Sequence, residues 1–122
     1  IADIDESDEM LARGRYLVEA LGHCGECHTP RDSSGGLKRD LWLAGAPNPD
    51  GPGRIPNITP GGTIADWSEG DIAYYLESGF TPDFDSVGGS MVDVQENMAK
   101  LTAEDRDAIA AYLKAIPAHE GE

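Results

Sequence analysis

The five residues Cys24-Gly25-Glu26-Cys27-His28 constrain this chain more than any other stretch. Two cysteines stand three apart, and a histidine directly follows the second. On a helical turn, positions i, i+3 and i+4 share one face, so both thiols and the imidazole can address a single flat ligand. This is the C-x-x-C-H pattern of covalent c-type haem attachment. Cys24 and Cys27 can each add to a haem vinyl group to form a thioether, and His28 then stands as the proximal iron ligand. One covalent haem c hides as much apolar surface as several aromatic side chains. The polypeptide is therefore expected to fold around it.

The rest of the composition narrows the class. At 122 residues the chain is expected to form one domain over 1–122, with the acidic residues 1–6 frayed. The haem motif uses both cysteines, so no disulfide is expected. No apolar run approaches the roughly 20 residues of a membrane span, so this chain is not expected to insert. No signal peptide is present, and the first residue is Ile rather than Met. The chain is therefore read as a processed or trimmed form, compatible with loss of a secretion signal or anchor.

Twenty-three acidic residues against nine basic ones give a formal net charge of −14, which haem propionates would deepen. Phosphate backbones and anionic lipids both select basic surfaces, so neither is an expected partner. Two explanations of the acidity stay open. It can steer a basic protein partner, or it can serve solubility alone.

In chain order, Ser7 or Asp8 can cap a helix from about 9 to 21, with Leu11, Tyr16, Leu17, Val18 and Leu21 on its apolar face. Gly14 lies inside that helix. Residues 31–62 are rich in Gly, Pro, Asp and Asn. So long a segment without regular structure suits a chain wrapping a cofactor, with Leu41, Trp42, Leu43 and Ile55 as apolar anchors. A two-residue strand or short helix near 37–43 is conceivable, but nothing reads as a convincing strand pair. Ser68-Glu69-Gly70-Asp71 has the form of a capping box and opens a helix over about 69–78, ended by Gly79. A shorter helix is expected from Val92 to about Ala99. Thr102-Ala103-Glu104-Asp105 is a second capping-box pattern, opening a final helix over roughly 103–115 with Ile109, Tyr112 and Leu113 on its apolar stripe.

An electron-transfer haem usually has a second protein ligand. Met10 reads as a packing or surface residue, His23 is too close to Cys24 to reach the opposite haem face, and His119 lies in the tail. Met91 and Met98 remain. Met91 follows Gly88-Gly89-Ser90, a turn that lets backbone approach a flat ligand, whereas Met98 sits within a helix as core filler does. Met91 is the favoured candidate. A thioether sulfur favours ferrous iron, raises the potential and closes the iron to small molecules.

With these features assembled, the chain resembles the class I mono-haem cytochromes c. The likeness covers nearly the whole length: a first helix with Gly14, CGECH at 24–28, Met91 at 63 residues beyond His28, and LTAEDRDAIAAYLKAIP at the end. It implies an all-α cytochrome c fold in which the first and last helices cross, with Gly14 meeting Ile109 and Tyr112. PNITP at 56–60, DWS at 66–68 and GGSM at 88–91 resemble haem domains in cytochrome subunits of bacterial membrane dehydrogenases. That narrower likeness implies propionate contacts for Asn57 and Arg54 and a haem-wall role for Trp67.

The function expected is one-electron carriage. The chain would take electrons from a dehydrogenase or other donor and pass them to an oxidase or another cytochrome, as a monomer in the bacterial periplasm, docking on redox proteins through a basic patch of theirs. The alternative is a haem enzyme or gas sensor with an open distal site, which would need Met91 unbound and a distal acid–base residue. A thioredoxin-like pair would want a βαβ context, and half a zinc site would want two further ligands.

Overall fold

Asp8 starts the first helix in this computed structural model, which describes residues 7–48, 52–88 and 91–119. The expectations of a frayed 1–6 segment and of a turn through Gly89-Ser90 lie outside the described residues. The Asp8 carboxylate accepts from the Met10 and Leu11 amides at 3.0 and 3.3 Å, capping α1 (Glu9–Arg15). The next turn is wider than expected. Tyr16–Leu21 continues α1 as a π-helical segment, ended by the Gly22 amide on the Leu17 carbonyl at 2.6 Å.

The haem motif forms its own short helix, α2 (Cys24–His28). Among its described residues, the long segment after it holds one 3₁₀ turn, Arg39–Leu41, and a two-residue antiparallel pair, β1 (Ala46–Pro47) with β2 (Arg54–Ile55). That pair was not anticipated: Pro-rich sequence of this kind reads as turn, and only two residues per strand engage.

α3 (Glu69–Ser78) has the expected bounds. Ser68 and Asp71 make both halves of the capping box, and Gly79 ends the helix in the left-handed region at φ 82°. α4 runs Met91–Met98, so it begins one residue earlier than expected. α5 (Ala103–Ala115) also has its expected span. The Thr102 hydroxyl accepts from the Asp105 amide, while the Asp105 carboxylate takes two bonds from the Arg13 guanidinium on α1, at 3.0 and 3.2 Å.

The main helix contact is α1 against α5, and α3 covers another face of α5. Gly14 permits the crossing, because a Cβ there would overlap the Ala108 carbonyl and the Tyr112 Cβ. Tyr112 is the contact that the resemblance implied, but Ala108 stands where Ile109 was expected. Ile109 is buried one position along the same helix, at 3% exposure. Leu17, Val18, Trp42, Leu43, Ile72 and Tyr112 centre the core.

Candidate haem site

α2 is entered through His23, whose φ of 53° is left-handed, and its first turn closes with the Glu26 amide on the His23 carbonyl at 3.0 Å. Thr29 then leaves the helix in extended conformation, as a residue before proline should. Cys24, Cys27 and His28 are thus brought together within one helical segment of five residues. Both cysteines are free thiols. Cys24 is partly buried against the core and Cys27 is exposed.

His28 is the most tightly specified of the three, at 9% exposure. Its Nδ1 lies 2.8 Å from the Pro56 carbonyl oxygen. A carbonyl can only accept, so Nδ1 carries the proton and Nε2 keeps its lone pair. Burial lowers the imidazole pKa, partly opposed by the Pro56 bond, and so favours the neutral ring. A neutral, oriented imidazole with a free Nε2 is what an iron ligand requires.

The wrapping segment provides that orientation. The His28 carbonyl receives the Gly45 amide at 2.6 Å, the buried Thr29 hydroxyl receives the Leu43 amide at 2.9 Å, and the Leu43 carbonyl receives the Ile58 amide at 2.9 Å. Gly45 has φ 93°, and a Cβ there would press on the Ile55 carbonyl and the Asn57 amide at 2.9 Å. The PNITP stretch is therefore laid beside α2, with Pro56 at the imidazole.

A contact missed in the sequence pins α2 from behind. The Trp42 ring occupies the space where a Cβ on Gly25 would lie. Trp42 Nε1 donates to the Tyr112 hydroxyl at 3.0 Å, and that hydroxyl donates to Glu19 at 2.6 Å. Burial first, and then Glu19, push the Tyr112 pKa upward, so the hydroxyl stays protonated as the donor. Glu19 also pairs with Arg15. The glycine between the two cysteines was the available signal, since a position without a side chain admits a close neighbour.

Met91 is half-buried at the first position of α4. Two polar side chains place this helix. Gln95, 8% exposed, donates to the Leu76 and Glu77 carbonyls at the end of α3, at 3.0 and 3.1 Å. Arg106, also 8% exposed, reaches back from α5 to the Met98, Ala99 and Leu101 carbonyls at 3.4, 3.0 and 2.6 Å. Met98 packs against the buried core, as a filler should. Met10 is exposed on α1.

Asn57, for which the resemblance implied a propionate contact, has structural partners of its own. Asn57 is fully buried. Its Oδ1 accepts from the Thr59 amide and hydroxyl at 2.9 and 2.7 Å, and its Nδ2 donates to the His119 carbonyl at 2.6 Å. The His119 amide in turn donates to the Thr59 hydroxyl at 3.0 Å. The Asn-x-Thr stretch is thus a clamp for the tail, and His119 is held by its backbone rather than left in solvent. Arg54 lies exposed on β2, and Trp67 packs partly buried against the core, its ring 5.7 Å from that of Tyr75.

The donor set fits a c-type haem: two unpaired thiols on one turn with an imidazole whose outward nitrogen is available. It fits the other C-x-x-C chemistries poorly. Burial pushes the Cys24 thiol up to about 11, opposite to the activation that a redox nucleophile needs. Among the described residues no three His, Cys, Asp or Glu side chains gather into a metal-binding group.

Comparison with known proteins agrees. The cytochrome c family model matches residues 11–117. A diheme cytochrome c-type protein of Cereibacter sphaeroides is 66% identical over 108 residues, covering 88% of this chain and 36% of the relative. The fructose dehydrogenase cytochrome subunit of Gluconobacter japonicus is 41% identical, covering 87% and 22%. The cytochrome c subunit of the quinone alcohol dehydrogenase of Gluconobacter oxydans is 39% identical, covering 92% and 25%. The chain therefore spans only about a third or less of these relatives. With its helical architecture and a match over most of its length, this chain belongs to the cytochrome c family, the haem-bearing proteins of electron transport.

Proposed function

We propose that this chain is a single haem-carrying domain in which Cys24 and Cys27 form the two thioethers and His28 and Met91 are the axial iron ligands. The observation that carries the reading is the 2.8 Å contact between His28 Nδ1 and the Pro56 carbonyl. It fixes the tautomer and leaves Nε2 as the ligand, on the same turn as both thiols. Haem iron supplies one-electron chemistry by alternating between ferrous and ferric states. The protein's own contribution is positional. Pro56 holds the imidazole, the thioethers hold the ring to α2, and the Met91 sulfur tunes the potential and keeps small molecules off the iron.

The electron is received from a dehydrogenase or other donor and passed to an oxidase or a further cytochrome, in the bacterial periplasm. The names of the fructose and alcohol dehydrogenase cytochrome subunits support a dehydrogenase as the donor. This stretch carries one C-x-x-C-H and therefore one haem. The relative named diheme is nearly three times as long as the matched stretch, so a second haem there is compatible with one haem here. The acidic surface favours a partner with a basic docking patch, and the domain acts as a monomer.

The test is a comparison of Met91→Ala with Met98→Ala in the holoprotein. Met91→Ala should abolish the sulfur-to-iron charge-transfer band, admit cyanide rapidly and lower the midpoint potential by on the order of 100 mV, within the roughly 0.8 V that axial ligands span. Met98→Ala should leave the band intact. An unchanged band in Met91→Ala would assign the ligand elsewhere, and a colourless wild-type protein without a pyridine haemochrome would remove the haem.

A further inference from the structure

The turn between α3 and α4 displays the most exposed large apolar side chain among the described residues. Phe84 is 86% exposed. Its φ of 66° lies in the left-handed region, which disfavours any side chain and a bulky one most. The turn is nonetheless closed on itself. The Thr81 amide donates to the Asp85 carbonyl at 2.9 Å, the Phe84 amide to the Thr81 carbonyl at 3.0 Å, and the Asp85 amide to the Thr81 hydroxyl at 3.1 Å. Phe80 and Ser86 pair as an antiparallel bridge at its base. A ring held outward on a hydrogen-bonded, conformationally disfavoured turn has lost its backbone freedom before any partner arrives. Strain of this kind is a pointer to function.

The charge along the chain on either side of the ring is one-sided, although Arg106 on α5 pairs with Glu77 at the end of α3. Asp83 and Asp85 flank it. From residue 55 to residue 99 the sequence holds eight Asp or Glu and no Lys or Arg, so all nine basic residues lie elsewhere in the chain. A macromolecule approaching this turn meets an aromatic anchor in an anionic field. Aromatic side chains in such positions carry a disproportionate share of interface energy when they enter a recess.

We infer that Phe84 is the apolar anchor by which this domain docks on a redox protein whose contact face offers an apolar recess rimmed by Lys or Arg. The inference rests on the electron-carrier reading and adds the contact that the acidic charge alone does not specify. The seven residues from Phe84 to Met91 can span at most about 25 Å, so the anchor keeps a docked partner near the proposed ligand. Attraction by Asp83 and Asp85 brings the partner in, and the ring sets where it stops.

The test reduces the partner to its chemistry. Holoprotein is adsorbed from solution onto gold electrodes carrying either ammonium-terminated chains alone or ammonium- and methyl-terminated chains mixed, and binding is read from the voltammetric wave. Phe84→Gly removes the ring and relieves the left-handed backbone, so the variant should fold at least as well as wild type. On the mixed film it should bind about tenfold more weakly than wild type. On the ammonium film the two should bind alike. Asp83→Asn with Asp85→Asn should weaken binding to both films and flatten its salt dependence. Equal binding of wild type and Phe84→Gly to the mixed film would overturn the anchor. So would a changed visible spectrum in Phe84→Gly, which would assign the ring to the haem. A haem-loaded wild type giving no wave on either film would overturn the carrier reading, and the anchor with it.

Discussion

The two sides of the proposed iron site are built by different means. The His28 side is made from short-range pattern plus a wrapped segment: α2 brings Cys24, Cys27 and His28 together, and Pro56, Gly45 and Trp42 close on it from three directions. The Met91 side is made from helix ends. Gln95 and Arg106 spend their side chains on carbonyls at the C-termini of α3 and α4, so Met91 is placed by how three helices meet. The first arrangement is local and crowded, the second remote and polar. A crowded site resists gradual opening, because its parts must move together. A site held by a few hydrogen bonds at helix termini can open on its own at lower free energy.

The sharpest way to break the crowded side is Gly25→Ala. The added methyl falls on the Trp42 ring, which is itself bonded to Tyr112. Overpacking of this kind costs on the order of 1–3 kcal/mol. Melting temperature and haem incorporation should fall together, and Trp42→Leu added to Gly25→Ala should restore much of both. If Gly25→Ala melts like wild type, the indole is not the wall that it is taken for here.

The Met91 side should fail differently. Gln95→Leu keeps the bulk but removes both donors to the Leu76 and Glu77 carbonyls. The expected loss is about 1–2 kcal/mol, toward the lower part of the range for an unsatisfied acceptor, since Glu77 is exposed and water can replace one bond. In a denaturant titration the sulfur-to-iron band should disappear well before helical circular dichroism does. Coincident loss of the two signals would mean that the two sides form one cooperative unit, and the contrast between them would fail.

The same division governs what could be read from the sequence. α3 and α5 were legible to the residue, because Ser68, Gly79 and Thr102 act through bonds to their immediate neighbours. The α2 triad was legible for the same reason. The π segment at Tyr16–Leu21 was not, since its apolar spacing also suits an α-helix and the wider turn is set by backbone bonding rather than by side-chain pattern. The bond from Asn57 to the His119 carbonyl was not legible, because the two residues lie 62 apart in the chain. The implied Ile109 contact of Gly14 fell one residue off, on Ala108, because a helical stripe predicts a face and not which backbone atom lies closest. Trp42 was correctly expected to anchor the loop, but its place against Gly25 depends on the whole wrap of residues 29–45.

The smallest expected effect tests whether the scaffold under both sides is independent of either. Arg13 and Asp105 tie α1 to α5 at 3.0 Å, away from both proposed ligands in sequence. The bond from Arg13 holds the Asp105 carboxyl below its ordinary value of 3.8. A carboxylate whose native pKa is depressed adds stability above its unfolded pKa and loses it as pH falls from there through the native value. Asp105→Asn should therefore lower the melting temperature slightly and by a constant amount above about pH 5, with the gap to wild type closing as pH drops below about 4. The gap should also shrink in high salt, since Arg13 is half exposed and the pair is screened. The sulfur-to-iron band of Asp105→Asn should match wild type at neutral pH. A shifted band would show that the α1–α5 crossing reaches the Met91 side through Arg106 on the same helix, and the two sides would then share a support.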